Sequence, residues 1–580
     1  MSIAQNFPEI KPSLNLDFAN TKKLDDRVTF ARASEARYYD GVTTAKAEEN
    51  LVLYSQEFEN AAWLLSGASR TANSTTAPDG TNTADKLIED SSTSVHAIYQ
   101  AKTVIATTHT ASVYMKESER SWGFLQFSTG QLGAYFDLTN GVVGTVSAGF
   151  TASIQSVNNG WYRCSITTTT TSASWTFAVL TATGDGVISY TGDGTSGIFI
   201  WGAQLEQRSS VTAYTPTTTQ PITNYIPTLL SAPANTARFD HNPVTGESLG
   251  LLVEEQRTNL LSYSEDQTQS IWVEQSNVTK NVSQTVSPAN SLNAGLVVPN
   301  TVSGYHALRI GPVSVTSGVT YSFSIYVKSY GYTRFRIAGT SQWTSATDFF
   351  VNQGDPVGNG FYRHNVNLTA TTTSASASID IVFLDSGGTV THAGNGFSGL
   401  FLWGAQVEAG AFPTSYIKTE ASQVTRSADS ASMTGANFSE WYRADEGSLV
   451  FDIADPKKSL NNQPLIGFAA TGQSVSANSI ALWASSGTAL RYRIAANGAY
   501  TVDYSGNTYS GGFYALSYKV NDSTLVRNGA SITTDTTCSM PSGIDTFNLI
   551  WESRTGNTTI KKISYYPARL TNTQLQALTS

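Results

Sequence analysis

Charge is scarce in this sequence. Only 14% of its 580 residues are Asp, Glu, Lys or Arg, the formal net charge is −9, and no run of Lys and Arg stands out. Nucleic-acid binding depends on neutralising phosphates, so this composition argues against a nucleic-acid partner. Cysteine is scarcer still. Cys164 and Cys538 fall in different predicted domains, which favours two small buried thiols over a disulfide.

Two further absences bear on where the chain is found. The first residues show no charged stretch followed by an apolar one, as a secretory leader would, and no apolar run reaches the roughly 18 residues of a membrane span. We therefore expect a chain with no signal peptide and no membrane contact, made in the cytoplasm.

Signatures of catalysis are also missing. The six histidines show no metal-ligand spacing, and no nucleophile elbow, P-loop or dinucleotide fingerprint is present. A glycosidase needs two carboxylates roughly 5–10 Å apart. Glu206 and Glu408 recur at matched positions, but they lie inside a repeated motif and are expected to fix a turn through backbone amides. The sequence thus predicts no enzyme, no catalytic residue and no metal ligand.

A motif that occurs twice organises what is present. Residues 201–206 read W-G-A-Q-L-E and residues 403–408 read W-G-A-Q-V-E, an offset of 403 − 201 = 202, and Tyr214 and Tyr416 follow at the same distance. An offset of this size indicates a duplicated domain rather than a short repeat. Each motif follows an apolar run, so its strand should be central in a sheet and covered on both faces.

Matched segments extend on both sides of the motif. They pair 50–55 with 259–264, Trp63 with Trp272, 112–116 with 324–328, and 160–163 with 360–363. The first copy is therefore placed at 50–216 and the second copy at 259–418, and we expect the two to share one strand order. Alternation of apolar and polar residues puts Tyr114 and Lys116 on the polar face of one strand, and Tyr326 and Lys328 on its counterpart.

These motifs resemble jelly-roll domains, similar to carbohydrate-binding modules, in bacteriophage tail fibres and head spikes. Frequent Gly, Ser and Thr with 11% aromatic residues suits an all-β chain of many short strands. The expected architecture is tandem β-sandwiches behind an extended N-terminal arm: two duplicated jelly rolls and a C-terminal sandwich, 419–580, that looks like a concanavalin or laminin-G domain. Hairpin signals at Asn497-Gly498 and Asn528-Gly529 and a helix N-cap at Thr571 belong to that last sandwich.

Two segments lie outside the sandwiches. Residues 1–49 are either an arm near a virion attachment point, as the resemblance implies, or a strand covering the edge of the first sandwich. Residues 217–258 form a Pro-rich connector, expected to pack with the arm. The resemblance also allows one structural calcium ion. Asp185 and Asp193 sit in a suitable Gly-rich loop, although turn aspartates bonded to their own backbone are the favoured explanation of both.

Sugar binding needs flat aromatic faces flanked by polar groups. Aromatic residues kept in both copies are expected in the cores, and those present in one copy only are freer to lie at the surface. The candidate carbohydrate-binding residues are therefore Trp122, Trp343 and Trp483, with Tyr114, Lys116, Tyr326 and Lys328 as second choices.

The function implied is a virion appendage, a fibre or spike on the virion surface that binds host surface polysaccharide. Its other partners would be virion proteins reached through the arm and further copies of itself, with a trimer favoured. The alternatives are a structural spacer with no ligand of its own and, third, a glycan-degrading depolymerase. The depolymerase is disfavoured because no short-period repeat typical of a β-helix is seen.

Overall fold

The computed structural model describes residues 7–171, 173–344, 346–454, 463–472, 474, 476–484, 489–508, 511–550 and 557–580. The chain is all-β, with 56% of residues in strands and 3% in helices, arranged as many separate antiparallel sheets. This confirms the expected fold class of tandem β-sandwiches. Among the described residues, every helix is too short or too polar to span a bilayer.

The arm before the first copy holds short strands and one helical turn. They are β1 (Leu14–Asp17), α1 (Phe18–Thr21), β2 (Thr29–Ala31), β3 (Ala36–Tyr38) and β4 (Thr44–Asn50).

The first copy is a sandwich of two six-stranded sheets. Its strands are β5 (Leu64–Ser66), β6 (Ala68–Thr75), β7 (Ala84–Glu89), β8 (Thr93–Val95), β9 (Ala97–Val104), β10 (Thr108–Glu117), β11 (Trp122–Ser128), β12 (Gly133–Asp137), β13 (Val142–Val146), β14 (Phe150–Asn158), β15 (Trp161–Thr169), β16 (Ala173–Ala182), β17 (Ser189–Thr191) and β18 (Gly197–Glu206).

The connector also forms strands. They are β19 (Ile222–Pro227), β20 (Leu230–Ala232), β21 (Arg238–His241), β22 (Ser248–Val253) and β23 (Arg257–Asn259).

The second copy again pairs two sheets, of five and six strands. Its strands are β24 (Trp272–Ser276), β25 (Val278–Thr285), β26 (Ala294–Pro299), β27 (Gly304–Tyr305), β28 (Ala307–Val315), β29 (Thr320–Tyr330), β30 (Arg334–Gly339), β31 (Ala346–Phe350), β32 (Asp355–Gly358), β33 (Phe361–Thr369), β34 (Ser374–Leu384), β35 (Thr391–His392) and β36 (Gly399–Ala409), with a 3₁₀ turn at Val351–Gln353.

The segment after the second copy follows; its first strand pairs with β23, and its other strands form most of the C-terminal sandwich. Its elements are β37 (Val424–Arg426), β38 (Ser430–Thr434), α2 (Ala436–Ser439), β39 (Glu446–Ile453), β40 (Gln463–Ala469), β41 (Ser479–Ala484), β42 (Ala489–Ala496), β43 (Ala499–Thr508), β44 (Gly512–Lys519), β45 (Ser523–Arg527), β46 (Ala530–Asp535), β47 (Thr546–Ile550), β48 (Thr558–Tyr566) and α3 (Asn572–Leu578). Both predicted hairpin turns have positive φ at Asn497-Gly498 and Asn528-Gly529, and the Thr571 side chain caps α3 by accepting from Gln574 N, so these predictions are confirmed.

The two copies share one strand order, as predicted. In the first copy one sheet runs β14-β15-β10-β18-β7-β6, and in the second copy the matching sheet runs β32-β33-β29-β36-β26-β25. The motif strands β18 and β36 are interior in both sheets, which confirms that prediction. Ala111, Val113 and Met115 of β10 are fully buried between the sheets of the first copy, so the period-two pattern also holds.

The repeated motifs hold each sandwich together through one asparagine. Asn50 donates from Nδ2 to the carbonyls of Ala203 and Thr215, and its Oδ1 accepts from the backbone N–H groups of Val52 and Leu205. Asn259 makes the same four contacts in the second copy. One buried side chain thus satisfies four backbone groups beside the motif strand, which explains why N-L and W-G-A-Q recur together.

Backbone conformation and a neighbouring ring explain why the motif contains a glycine. Gly202 has a φ of +62° and Gly404 a φ of +65°, and a Cβ at either position would lie 2.9 Å from the ring of Tyr114 or Tyr326. Only glycine meets both demands without strain. The motif glutamates also act as expected: Glu206 accepts from the backbone N–H of Thr212 and Glu408 from that of Thr414, so each fixes a turn.

Arm and connector strands complete the C-terminal sandwich. Strand β1 pairs with β48, β2 with β38, and β22 with β48, while β4 pairs with β19 and β3 with β20. The hypothesis that the arm covers the edge of the first sandwich is wrong for β1 and β2, because both add to sheets at the other end of the chain.

Buried charges lie where these segments meet. Arg32 and Arg238 contact opposite oxygens of Asp429, at 3.1 and 2.7 Å, while Arg238 and Arg426 lie 2.7 and 3.5 Å from Glu254. All five side chains, here called the arginine–carboxylate hub, are at most 4% exposed. Burial alone would raise the pKa of Glu254, but Arg426 and Arg238 hold that pKa at about 2. The hub joins the arm, the connector and the segment that follows the second copy.

We expect Trp403→Ala to lower the free energy of unfolding by about 3–5 kcal/mol, since this indole is fully buried on an interior strand. Urea unfolding followed by circular dichroism measures the change. Trp122→Ala, at a half-buried indole, is the comparison and should lose less. A Trp403→Ala protein that unfolds at the wild-type urea concentration would show that this packing is not needed.

Candidate functional site

Each copy carries an aromatic cluster on the outer face of the sheet that contains its motif strand, which is β18 in the first copy and β36 in the second. In the first copy the rings of Tyr114, Trp201 and Tyr214 lie 4.8–6.0 Å apart between centroids. In the second copy Tyr326, Trp403 and Tyr416 repeat this at 4.7–6.0 Å. Aromatic rings and polar strand residues meet on these faces, as they do in ligand-binding sites.

An arginine lies over each cluster. The Arg163 guanidinium is 5.4 Å from the Tyr114 ring centroid and donates to the Thr212 carbonyl at 2.7 Å and to Ser112 Oγ at 3.1 Å. Its Nε is buried and has no hydrogen-bond partner among the described residues. Arg363 makes the same contacts in the second copy. Each outer face therefore has an arginine, buried in the first copy and half-buried in the second, whose Nε is a spare donor among the described residues.

In the second copy the chain itself covers this outer face. Side chains of the arm and connector pack onto Tyr326, Trp403 and Phe361; they are Tyr39, Ala45, Ala47, Ile226 and Leu229. The arm also brings Glu48, which is 3% exposed and forms an ion pair with Lys328, Nζ to Oε1 at 2.7 Å. The Thr285 hydroxyl donates to the same oxygen, and Asn359 Nδ2 donates to the other at 2.8 Å.

Glu48 is ionised in this setting. Burial would raise its pKa, but the Lys328 charge and the hydrogen bonds from Lys328, Thr285 and Asn359 lower the pKa to about 2. The second copy thus holds a carboxylate from its own arm.

In the first copy the outer face meets the second copy across a narrow cavity of about 110 Å³, here called the inter-copy cleft. Phe397 of the second copy lies 6.2 Å from Tyr114 and 5.9 Å from Trp201 between ring centroids. Gln155 Nε2 donates to Asn281 Oδ1 at 3.2 Å across the cleft. The other lining side chains include those of Arg163, Tyr214, Asn300 and Tyr330.

The residues predicted to bind carbohydrate lie in different parts of the structure. Trp343 is 6% exposed, donates to the Ser378 carbonyl at 3.0 Å and packs in the core of the second copy, so it is not an exposed platform. Trp483 is 4% exposed beneath the Arg493 guanidinium, and the residues 485–487 that suggested a loop lie outside the described ones. Both expectations of surface exposure are wrong, because each sandwich fills its packing space with different aromatic residues.

Trp122 is half-buried beside Phe124 and Tyr135 on the other sheet of the first copy, and its role stays a prediction. Tyr114 and Tyr326 are 3% and 2% exposed, so they are not free to stack on a sugar. Lys328 is paired with Glu48, whereas Lys116 has no hydrogen bond or ion pair to any described residue.

Asp85 and Asp193 are the other carboxylates that bear on catalysis or metal binding. Burial raises the pKa of Asp85 to about 7, with Glu59 beside it, but Asp85 is 1% exposed and out of reach of a substrate. Asp193 accepts from the N–H groups of Thr195 and Ser196, as a turn aspartate does. No group of His, Cys, Asp or Glu in the described ranges is arranged to hold a metal ion.

Several residues of this face were missed from the sequence. Arg163 and Arg363 were seen only as parts of the repeat, and Gln155, Asn281 and Glu48 were not singled out. The matched polar pairs Thr75 and Thr285, and Asn159 and Asn359, are readable in the sequence once the copies are aligned. That signal could have found the Glu48 site, although not its occupant.

No protein-family model matches the chain, and no curated protein matches it. Among solved structures, a CBM40 module of a Ruminococcus gnavus IT-sialidase is similar at 15% identity, over 24% of this chain and 84% of that chain, with a TM-score of 0.19. The tandem CBM22-1-CBM22-2 domain of Paenibacillus barcinonensis Xyn10C is similar at 12% identity, over 63% and 99%, with a TM-score of 0.18.

Trypanosoma rangeli sialidase in complex with the inhibitor DANA is similar at 10% identity, over 94% of this chain and 98% of that chain, with a TM-score of 0.21. The prediction that the chain is not an enzyme is contradicted by this finding and is withdrawn. A likeness this low assigns no reaction to the chain, and none of the three likenesses carries a conclusion about function.

We expect Glu48→Gln to lower the free energy of unfolding by about 2–4 kcal/mol at pH 7, because Lys328, whose side chain is only 16% exposed, would lose its counter-charge. The folded pKa of about 2 lies below the ordinary 4.5, so the wild-type contribution is complete above about pH 4.5 and lost as the pH falls through about 2. Urea unfolding at several pH values should show this loss in the wild type and not in the variant.

Glu247→Gln is the control, since Glu247 pairs with Lys561 at the surface and should change stability little. Equal stability of Glu48→Gln and wild type at pH 7 would show that the arm does not depend on this ion pair.

Proposed function

We propose that this chain binds a polysaccharide through the inter-copy cleft and the outer face of the first copy beside it. The observation that carries the proposal is the unequal covering of two equal faces. Arm and connector side chains fill the outer face of the second copy, whereas the first copy keeps a cavity lined by amides, an arginine and tyrosines. The amides and the arginine can hydrogen-bond to sugar hydroxyls, and the buried tyrosine rings form part of the cavity wall.

The size of the cleft limits the affinity. Its volume of about 110 Å³ is well below the roughly 300–1,000 Å³ of sites that enclose a ligand. One edge of a sugar fits, and the rest of the polymer stays in water. We therefore expect weak binding by one chain, in the high-micromolar to millimolar range, which becomes strong only when several copies bind one surface.

The biological setting belongs to the same proposal. We assign the chain to a bacteriophage virion surface, as a tail fibre or head spike that binds host glycan for adsorption. Its support is the resemblance of two repeated motifs to such proteins: N-L-x-x-Y-S at residues 50–55 and 259–264, and W-G-A-Q at residues 201–204 and 403–406. The partners would be host polysaccharide, other virion proteins reached through the arm, and further copies of this chain.

The cleft is tested with the double variant Gln155→Ala/Asn281→Ala, measured by calorimetric titration of the polysaccharide that the wild type binds best on a glycan array. Loss of both amides should weaken binding at least about fivefold, since each removes hydrogen bonds to hydroxyls. Gln131→Ala, at an exposed loop of the first copy, should bind like the wild type.

Trp122→Ala, measured in the same titration, tests the candidate carbohydrate-binding residue that lies on the other sheet of the first copy. If it abolishes binding while the double variant binds normally, the site is on the opposite sheet and the cleft is wrong. If the wild type binds no glycan on the array, a structural spacer replaces the proposed function.

Association into a trimer is expected from the virion setting, with contacts through sandwich faces or the arm because the sequence has no heptad run to join chains. Multi-angle light scattering at micromolar concentration measures it. A mass near 62 kDa, that of one chain, would contradict the trimer.

A further inference from the structure

The second copy contains a small binding site for a carboxylate, and the side chain of Glu48 fills it. Thr285 and Lys328 bind one oxygen of Glu48, and Asn359 binds the other. These donors thus hydrogen-bond to both oxygens of a planar carboxylate, and the lysine supplies the opposite charge.

The first copy has the same three residues at the matching positions. Thr75 ends β6 opposite Ala84, as Thr285 ends β25 opposite Ala294. Lys116 lies opposite Trp161 in the sheet, as Lys328 lies opposite Phe361.

The third residue of the set keeps its local geometry too. Asn159 has a φ of +50° and Asn359 a φ of +48°. Each lysine side chain also passes over the glycine that follows its asparagine, Gly160 or Gly360. The backbone that displays the three donors is therefore the same in both copies.

Nothing in the described chain fills the first set. The side chains of Thr75, Lys116 and Asn159 make no hydrogen bond or ion pair with any described residue, and no carboxylate takes the place of Glu48. Thr285 is fully buried by the arm, whereas Thr75 and Lys116 are half-exposed and Asn159 is exposed. The donors in the first copy face solvent.

We infer that Thr75, Lys116 and Asn159 bind the carboxylate of an acidic sugar, a hexuronate or sialic acid residue of the polysaccharide. This inference rests on the proposed function and adds its ligand class. Lys116 follows Tyr114 by two residues on one strand face, which puts the two about 7 Å apart along the strand. One sugar can therefore place its ring edge at the cleft and its carboxylate on Lys116.

The test uses the full chain and matched pairs of probes: galacturonan oligosaccharides with their carboxyl-reduced forms, and sialyllactose with lactose. We expect the wild type to bind the acidic member of at least one pair about tenfold more tightly at low salt, because a charge-assisted contact is added. Raising the salt concentration should narrow the difference, since the lysine is partly exposed.

Two variants should abolish the preference for the acidic member of the pair. Lys116→Met removes the charge, and Asn159→Asp places a carboxylate beside Lys116, as Glu48 is placed beside Lys328. Asp tolerates the positive φ at this position, so folding should be kept. Lys23→Met, at a surface lysine of the arm with 75% side-chain exposure, is the matched control for the lost charge.

The outcomes separate the two proposals. Equal binding of acidic and neutral members, or an acidic preference that survives in Lys116→Met, overturns the inference while glycan binding stands. Binding of no probe, acidic or neutral, together with none on the array, overturns the proposed function as well. Self-association of the chain that Lys116→Met abolishes would show that a second copy supplies the carboxylate, which also overturns the inference.

Discussion

The arrangement of the whole chain depends on the arginine–carboxylate hub. Arg32 comes from the arm, Arg238 and Glu254 from the connector, and Arg426 and Asp429 from the segment after the second copy. A buried charge without its partner costs several kcal/mol, so these distant segments must meet for any of them to be satisfied. Once they meet, β1, β2 and β22 add to the C-terminal sandwich, and part of the arm lies on the outer face of the second copy.

This route of the arm makes two equal domains unequal. The copies share strand order, the asparagine contacts and the aromatic clusters, yet only the second is covered by Tyr39 and Glu48. Burial of that face stabilises the chain and removes it from solvent. The first copy keeps the same face beside the inter-copy cleft, so a difference in long-range contacts, and not in local sequence, separates a face covered by the arm from one that borders a cavity.

More of the fold than of the candidate site could be predicted from the sequence. The repeated motifs predicted the duplication and the interior position of Trp201 and Trp403, because these depend on local strand pattern. Burial of Tyr114 and Tyr326 could not be predicted, since their covers come from residues far along the chain. Trp343 was misjudged for another reason: an aromatic residue present in one copy only fills that copy's core, which tolerates different residues if the volume is kept.

The carboxylate site of the second copy also indicates how strongly the matching site of the first copy can bind. Glu48 reaches Lys328 as part of the same chain, so its carboxylate is present at a high effective concentration, and burial strengthens the ion pair. A carboxylate from outside gains neither advantage at Lys116, because it must be captured from solution and stays partly hydrated. The same three donors are therefore a structural clamp in one copy and a weak, exchangeable site in the other, and several copies on one surface would turn that weakness into firm attachment.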